Sequence, residues 1–282
     1  MTAMSLSSIQ LDAFVAVARE NHFSRAAVKL NITQSALSQR ILNLEQEIGS
    51  ALFVRDTAGI RLTDLGQRLL RFCESKEKLE TEFLTNLNVD VKSLRGLVRV
   101  AGFSTITRSK ILPILSKLIA QHPNLDLELR SEELRVLPGL LTSGATDFIF
   151  SNRPLEKQGI ENHLVGYEEN VLIEATRGGR PEIYLDYDEH DDTTFEFFKA
   201  QGRKVPAFKR GFVDDIELLA AAVQQGVGRA VMPMHLVKDL KGIKVVSGFK
   251  MMKTPIYLSY YAQAFYTELQ KTLINCLSDL SD

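Results

Sequence analysis

Cysteine is nearly absent: Cys73 and Cys276 are the only two in 282 residues. They stand far apart with no His or Cys at ligand spacing, so both read as incidental or buried thiols rather than a disulfide or a zinc site. His22, His122, His163, His190 and His235 are scattered without any paired metal spacing, and no metal or other cofactor is expected. No apolar run approaches the about 18 residues that span a bilayer. The stretch from Met1 to Asp12 lacks a basic cluster followed by an apolar core. Neither export nor a membrane partner is therefore expected, and a cytoplasmic location fits the cysteine usage. There is no P-loop, no Gly-x-Ser-x-Gly turn and no nucleophile beside a base. Gly226-x-Gly228 follows a helical pattern and precedes an extended one, the reverse of a dinucleotide fingerprint. Enzymatic chemistry is not expected. Nor is charge of one sign in excess: 34 Lys and Arg meet 35 Asp and Glu. Any nucleic-acid contact must then come from a local face, not from the whole molecule.

What is present begins with length. A chain of 282 residues, 45% hydrophobic and 24% charged, suits two or three folded units. Leu11, Phe14, Val15 and Ala18 recur at helical spacing and predict a helix ending near Glu20-Asn21. Ser24 stands where an N-cap belongs, ahead of a short helix from Arg25 to Leu30 that carries Ala26 and Ala27. Asn31-Ile32 breaks the chain. Thr33 caps a third helix from Gln34 to about Ile48, with Leu37, Ile41, Leu44 and Ile48 inward and Gly49 as its stop. Two short helices joined by about three residues, with alanines at their crossing, make a helix-turn-helix. Gln34, Ser35, Ser38 and Gln39 lie off the apolar stripe. As neutral polar groups they can donate and accept toward base edges, although a merely solvated face carries the same pattern. Residues 51–55 and 59–63 are short extended runs around Thr57-Ala58-Gly59, a hairpin that can act as a wing, flanked by Arg55 and Arg61.

The ordered string Phe14, Phe23-Ser24-x-Ala26-Ala27, Leu30, Gln34-Ser35-Ala36-Leu37-Ser38, Ile41, Leu44-Glu45, Gly49, Leu52-Phe53-x-Arg55 and Leu62-Thr63-x-x-Gly66 resembles the LysR-type transcriptional regulators. The resemblance implies a recognition helix at about Thr33 to Leu44 and a wing at Arg55 to Thr63. It places operator DNA contacts on Ser24, Thr33, Gln34, Ser35, Ser38, Gln39, Arg55, Arg61 and Thr63. Ala36 stands where many relatives carry proline.

A long helix is predicted from Asp64 to about Asn88. Leu65, Leu69, Phe72, Leu79 and Phe83 form a heptad seam along it, with Lys76 at its weak position, and this predicts pairing with a second copy as a dimer or tetramer. Packing of the same stripe on the chain's own domain is the alternative. Two recognition helices about one turn of DNA apart would read a two-fold operator. Lys92 to Gly96 reads as a hinge.

Beyond it the periodicity changes. Residues 97–101 read as a buried strand, 111–119 as a helix with Pro113 in its first turn, and 125–129 as an alternating strand. A helix over 134–141 and a strand over 147–150 follow. A second lobe begins near Pro181, with extended runs at 183–185, 205–212 and 229–232 and helices at 193–200 and 214–225. A strand at 255–261 and a helix at 264–277 return to the first lobe. The fold class expected is α/β: a winged helix-turn-helix over 1–63, a linker helix and hinge over 64–95, and a two-lobed doubly wound domain over 96–282. Lobe I takes about 96–177 and 253–282, lobe II about 178–252. The second domain is similar to the family's co-inducer domain, of periplasmic-binding-protein type, and that likeness implies a small-molecule effector between the lobes. By position Ser104, Thr105, Ser131, Ser151, Asn152, Phe212, Val213 and Asp214 face the cleft, and hydroxyls at such turns suit a carboxylate. Glu182, Asp186, Asp188, Glu189, Asp191, Asp192 and Glu196 crowd together with no Lys or Arg among them. Asp186 or Asp188 is expected to meet a cationic group on the effector, a solvated acidic loop being the other reading. The function expected is an effector-responsive DNA-binding regulator, with RNA polymerase as a partner if it activates. A solute-binding protein or an enzyme on the same scaffold are the alternatives.

Overall fold

A computed structural model describes residues 6–56, 59–86, 94–202, 207–278 and 280, without the side chains of 55, 56, 59, 82 and 84–86. The chain forms two compact units that part between Lys92 and Ser93. The first runs α1 (Ser8–Glu20), α2 (Phe23–Lys29), α3 (Gln34–Ile48), β1 (Phe53–Asp56), β2 (Gly59–Leu62) and α4 (Asp64–Asn86). Its core is Phe14, Val17, Phe23, Ala26, Leu37, Leu44 and Leu52, with Phe53 packed against it. The ring centroid of Phe53 lies 5.3 Å from that of Phe14 and 6.0 Å from that of Phe23. Burying side chains of this size stabilises the unit by about 1.5–3 kcal/mol each. The alanines at the α1–α2–α3 crossing let the helix backbones approach. Asn21 at φ 49° and Gly49 at φ 79° close α1 and α3 in left-handed geometry.

Ser24 is not the N-cap. α2 begins two residues earlier than expected, at Phe23, because the His22 ring accepts from the Ser24 backbone N–H at 3.2 Å and caps the helix itself. β1 and β2 pair antiparallel from Phe53–Leu62 to Asp56–Gly59, while the expected turn residues Thr57 and Ala58 lie outside the described residues. Where α4 starts, a Cβ on Gly66 would stand 2.2 Å from the Leu52 carbonyl oxygen. That atom is backbone and cannot rotate away. Gly66→Ala should therefore cost about 1–3 kcal/mol of stability, and urea unfolding that left the midpoint unchanged would contradict this contact.

The expected seam on α4 divides. Leu69, with Leu70 and Cys73, is buried in the unit's own core, and Leu65 packs against it. Phe72 and Phe83 stay 52% and 64% exposed, and Leu79 36%. The first two turns of α4 thus pack into the unit's own core through Leu65 and Leu69, while Phe72, Leu79 and Phe83 of the same stripe stay open on the outer face. Burial pushes the Cys73 thiol up to about 11.

The second unit starts with β3 (Arg95–Gly102), α5 (Ser104–Ile106), a π turn (Thr107–Ile111), α6 (Leu112–Gln121), β4 (Asn124–Ser131), α7 (Leu137–Thr142) and β5 (Phe148–Ser151). It continues with β6 (Ile160–Ala175), β7 (Ile183–Asp186), α8 (Thr193–Ala200), β8 (Lys209–Phe212), α9 (Ile216–Gln224), β9 (Ala230–Pro233), α10 (Met234–Val237), β10 (Ile243–Val245), β11 (Met252–Tyr261) and α11 (Glu268–Leu277). α6 opens at Leu112 with Pro113 in its first turn, as expected, and the wider π turn lies just ahead of this residue that has no N–H to offer. The last helix begins at Glu268, later than its apolar pattern suggests, because Thr267 and Gln270 form a capping box.

β3 pairs parallel with β4 and β5, and β11 runs antiparallel to β5 and β6. On the other side β6 carries β9 and β10, and β7 pairs parallel with β8. β6, a strand of 16 residues, is the element the sequence pattern did not reveal. It contributes Val165 to one hydrophobic core and Val171 and Ile173 to another. β11 likewise gives Ile256 and Leu258 to the first lobe and Met252 to the second. The lobes are therefore joined by two paired strands, and the register between them slips at Ile256/Tyr257. The stretch from Gly166 to Asn170 marks the passage from one lobe to the other.

Candidate functional site

Two places carry chemistry, one in each unit. In the first, Leu37, Ile41 and Leu44 bury one face of α3 and so turn its other faces outward. Thr33, Gln34, Ser35, Ala36 and Gln39 are exposed and Ser38 is half-buried. The Thr33 hydroxyl accepts from the Ala36 N–H at 3.2 Å and lies 3.0 Å from the Ser35 hydroxyl. The Ser24 hydroxyl donates to Gln34 Oε1 at 3.0 Å, so α2 holds that carboxamide by its oxygen and the amide nitrogen is not used by this bond. Gln39 donates to Asn43 Oδ1 at 2.8 Å. The start of α3 therefore presents neutral donors and acceptors beside a helix N-terminus, whose partial positive charge favours phosphate.

The hairpin is set by Glu45, whose Oε1 accepts from the N–H groups of Leu52 at 2.7 Å and Phe53 at 3.4 Å. Arg61 is exposed on β2; the Arg55 side chain lies outside the described residues. Thr63 is tied into the fold. Its hydroxyl donates to the Ala51 carbonyl at 2.9 Å and accepts from the Gly66 N–H at 3.0 Å, so it is engaged in seating α4. Basic residues nearby also have internal partners. Arg19 pairs with Glu77 at 2.8 Å, Lys29 with Glu20 at 3.0 Å, and Arg25 donates to the Glu20 carbonyl at 2.6 Å.

In the second unit the expected cleft residues separate into free and engaged groups. Ser104 and Asn152 are half-buried and Ser131 is exposed at the end of β4. Ser151 is buried and donates to the Arg153 carbonyl at 2.6 Å, so its hydroxyl proton is not available to a ligand. Phe212 is 52% exposed and lies 5.0 Å from the Arg210 guanidinium, which Phe195 covers from 5.1 Å. The Val213 N–H donates to the Asp186 carbonyl at 3.0 Å, and Asp214 is exposed. Asp215, not Asp214, caps α9, accepting from Glu217 and Leu218 at 3.0 and 2.8 Å.

The acidic stretch is organised from outside itself. Arg210, on β8, donates to Asp186 Oδ2 at 2.6 Å and to the carbonyls of Asp188, Glu189 and Asp191. Asp186 is 2% exposed and also accepts from the Thr194 hydroxyl. Burial still holds its carboxyl above the ordinary range, with the Thr194 and Arg210 hydrogen bonds pulling the other way. Asp188 accepts from the His190 N–H, and Asp191 from those of Tyr187 and Thr193. The Asp186 carboxylate is thus met by the chain's own Arg210 and Thr194, and Asp188 Oδ1 by the His190 N–H.

The acid that the sequence reading missed is Glu168. It sits on β6 at the passage between the lobes and is 6% exposed. Thr105 approaches from lobe I, and His235 Nε2, from α10 of lobe II, stands 3.9 Å from Glu168 Oε1. Neighbouring Asn170 donates to Thr254 Oγ1 at 3.1 Å. Burial pushes the Glu168 carboxyl up to about 7, against the opposing pull of Thr105 and Lys110. Arg108 of the π turn pairs with Glu217 of α9, a further link between the lobes. Among the described residues no group of three His, Cys, Asp or Glu could hold a metal ion, and no helix is long and apolar enough to cross a membrane.

Residues 9–67 match the model of the bacterial regulatory helix-turn-helix protein, lysR family. Residues 92–281 match that of the LysR substrate binding domain. The HTH-type transcriptional regulator ShiR of Corynebacterium glutamicum is 37% identical over 165 residues, 58% of this chain and 56% of its own length; the match thus spans about half of that relative. The fold is similar to that of ArgP from Mycobacterium tuberculosis, with TM-score 0.82 and 22% identity over 97% of each chain. It is also similar to full-length LysG from Corynebacterium glutamicum with bound effector Arg, with TM-score 0.77 and 18% identity over 97% of each chain.

Proposed function

The chain belongs to the lysR family of bacterial regulatory helix-turn-helix proteins, and on that premise we propose that it is a DNA-binding transcription regulator governed by a small-molecule effector. The observation that carries the reading is the start of α3. Leu37 is wholly buried beneath an outward set of Gln34, Ser35, Ser38 and Gln39, a surface able to read base edges in a major groove. Arg55 and Arg61 on the hairpin supply phosphate or minor-groove contacts. A dimer through α4 places two such helices on a two-fold operator.

The effector occupies the space between the lobes of the second unit, where Ser104, Ser131 and Asn152 offer polar groups to an amino acid or small carboxylate. That LysG holds Arg supports the amino-acid class. Its binding favours one closure of the lobes, and operator affinity shifts by as much as the effector distinguishes the two states. If the output is activation, RNA polymerase is the further partner.

The test is operator binding by the purified chain to fragments from around its own gene. Gln34→Ala or Ser38→Ala should each cost about 1–3 kcal/mol at the specific site if it makes a good base contact, and should leave nonspecific binding unchanged. Equal losses on specific and random DNA would remove α3 from the role of reader.

A further inference from the structure

The two carboxamides on the outward face of α3 are held in opposite senses. Gln39 is bound through its nitrogen, which donates to Asn43 Oδ1 one turn further along the same helix at 2.8 Å. Gln34 is bound through its oxygen, which accepts from the Ser24 hydroxyl of α2 at 3.0 Å. That bond uses neither amide proton, and the Gln34 side chain is exposed, so its nitrogen is the end offered outward. Ser24 is itself fixed. It is half-buried beside the buried Phe23, and its backbone N–H donates to His22 Nδ1 at 3.2 Å. Both donors of Ser24 are thus engaged within the chain, and neither is left for a phosphate oxygen, which can only accept.

We infer that Ser24 is a positioning residue that fixes Gln34 as a donor, so that α3 selects guanine over adenine at the base pair Gln34 meets. This rests on α3 being the reader in a major groove and names the base chosen there. A carboxamide free to turn pairs with adenine, accepting from the N6 amino group while donating to N7. That mode needs the oxygen that Ser24 holds toward α2. What faces the groove is one nitrogen with two protons. Guanine offers that nitrogen two acceptors, O6 and N7, whereas the amino group of adenine would meet it donor against donor. Thymine offers a single acceptor beside its methyl group, and cytosine a donor.

The arrangement acts on choice more than on strength. A side chain already held loses less freedom on contact, while the wrong base leaves a buried donor unmet, which is costly. Gln39, whose sense is set by Asn43, supplies an internal control: removing the Ser24 hydroxyl leaves its bond in place.

Selection from a randomised duplex library by the full chain, read by sequencing, decides the matter. The base pair whose preference is lost in Gln34→Ala is the one Gln34 meets. In wild type it should be G·C, favoured over A·T by about fivefold or more. Ser24→Ala should bring A·T level with G·C or above it at that pair alone, with a cooperative melt like that of wild type. Ser24→Thr keeps a hydroxyl and should keep the guanine preference. A wild-type preference for A·T at that pair, a guanine preference that survives in Ser24→Ala, or no pair altered by Gln34→Ala overturns the inference while leaving the selected sequence, and with it the regulator reading, intact. A library from which wild type enriches no sequence removes the reader itself, and the inference with it.

Discussion

Arg210→Met is expected to remove about 3–5 kcal/mol from the stability of the second unit at neutral pH, because it strands a buried carboxylate. Arg210 and Asp186 are 20% and 2% exposed at their side chains, and the guanidinium also serves three backbone carbonyls of the acidic loop. Met keeps much of the aliphatic stem but loses the guanidinium that lies over Phe195 and Phe212, so the loss is of charge, donors and this cation–π contact. The sign of the pH effect is fixed by burial. Asp186 already titrates above its ordinary value in the fold, so its contribution is favourable at low pH and declines as pH rises through the raised folded range. Without the arginine that range moves further up. The defect of Arg210→Met should therefore shrink between pH 7.5 and pH 5, as read from urea midpoints. Asp186→Asn is milder, since an amide oxygen still accepts from Thr194 and Arg210. The double variant should lie close to Asp186→Asn, well short of the sum of the two single losses. A variant Arg210→Met as stable as wild type at pH 7.5 would show the pair to be ornamental.

The same pair shows where sequence reasoning stops. Seven acids between Glu182 and Glu196 are plain to see, and their repulsion demands a cation. The cation that answers is 24 residues on from Asp186, brought there only by the parallel pairing of β7 with β8. A local window cannot see that pairing. The helix-turn-helix is the opposite case: caps, stops and the stripe of Leu37, Ile41 and Leu44 are all local, and α3 starts and ends where Thr33 and Gly49 indicate. Ser24 misled because a serine is the commoner cap, while an imidazole nitrogen two residues earlier fills the same place.

Glu168 was hidden for a different reason. β6 gives its early residues to one lobe and its late residues to the other, so its burial follows neither period two nor period 3.6. Nothing in the order of residues from Ile160 to Ala175 says that one glutamate is enclosed. Glu168 stands between Tyr167 and a second acid, Glu169, with Asn170 close behind, so no local contrast marks it. Its burial becomes visible only when Thr105 and His235, distant in sequence, converge on it.

The heptad on α4 was legible as a stripe but not as a division of labour, and that division sets the remaining prediction. Leu65 and Leu69 are already used by the core of the first unit, so substituting them would unfold the reader and say nothing about association. Phe72 and Phe83 are exposed, and Glu at both positions should leave the fold intact while placing charge in the seam. Lys76 sits between them on the same stripe and is paired with Glu80 at 2.5 Å, a polar interruption of the kind that fixes register at some cost in stability. The double variant Phe72→Glu with Phe83→Glu should sediment as a monomer. Two linked readers exceed one by about 10²–10⁴ in affinity when both half-sites are reachable. Operator affinity should fall by that factor, and the salt slope toward half, since half the phosphate contacts are lost. A fragment carrying a single half-site should bind wild type and variant alike. If the variant instead remains a dimer with full operator affinity, association runs through some other surface, and these aromatic side chains owe their exposure to something else.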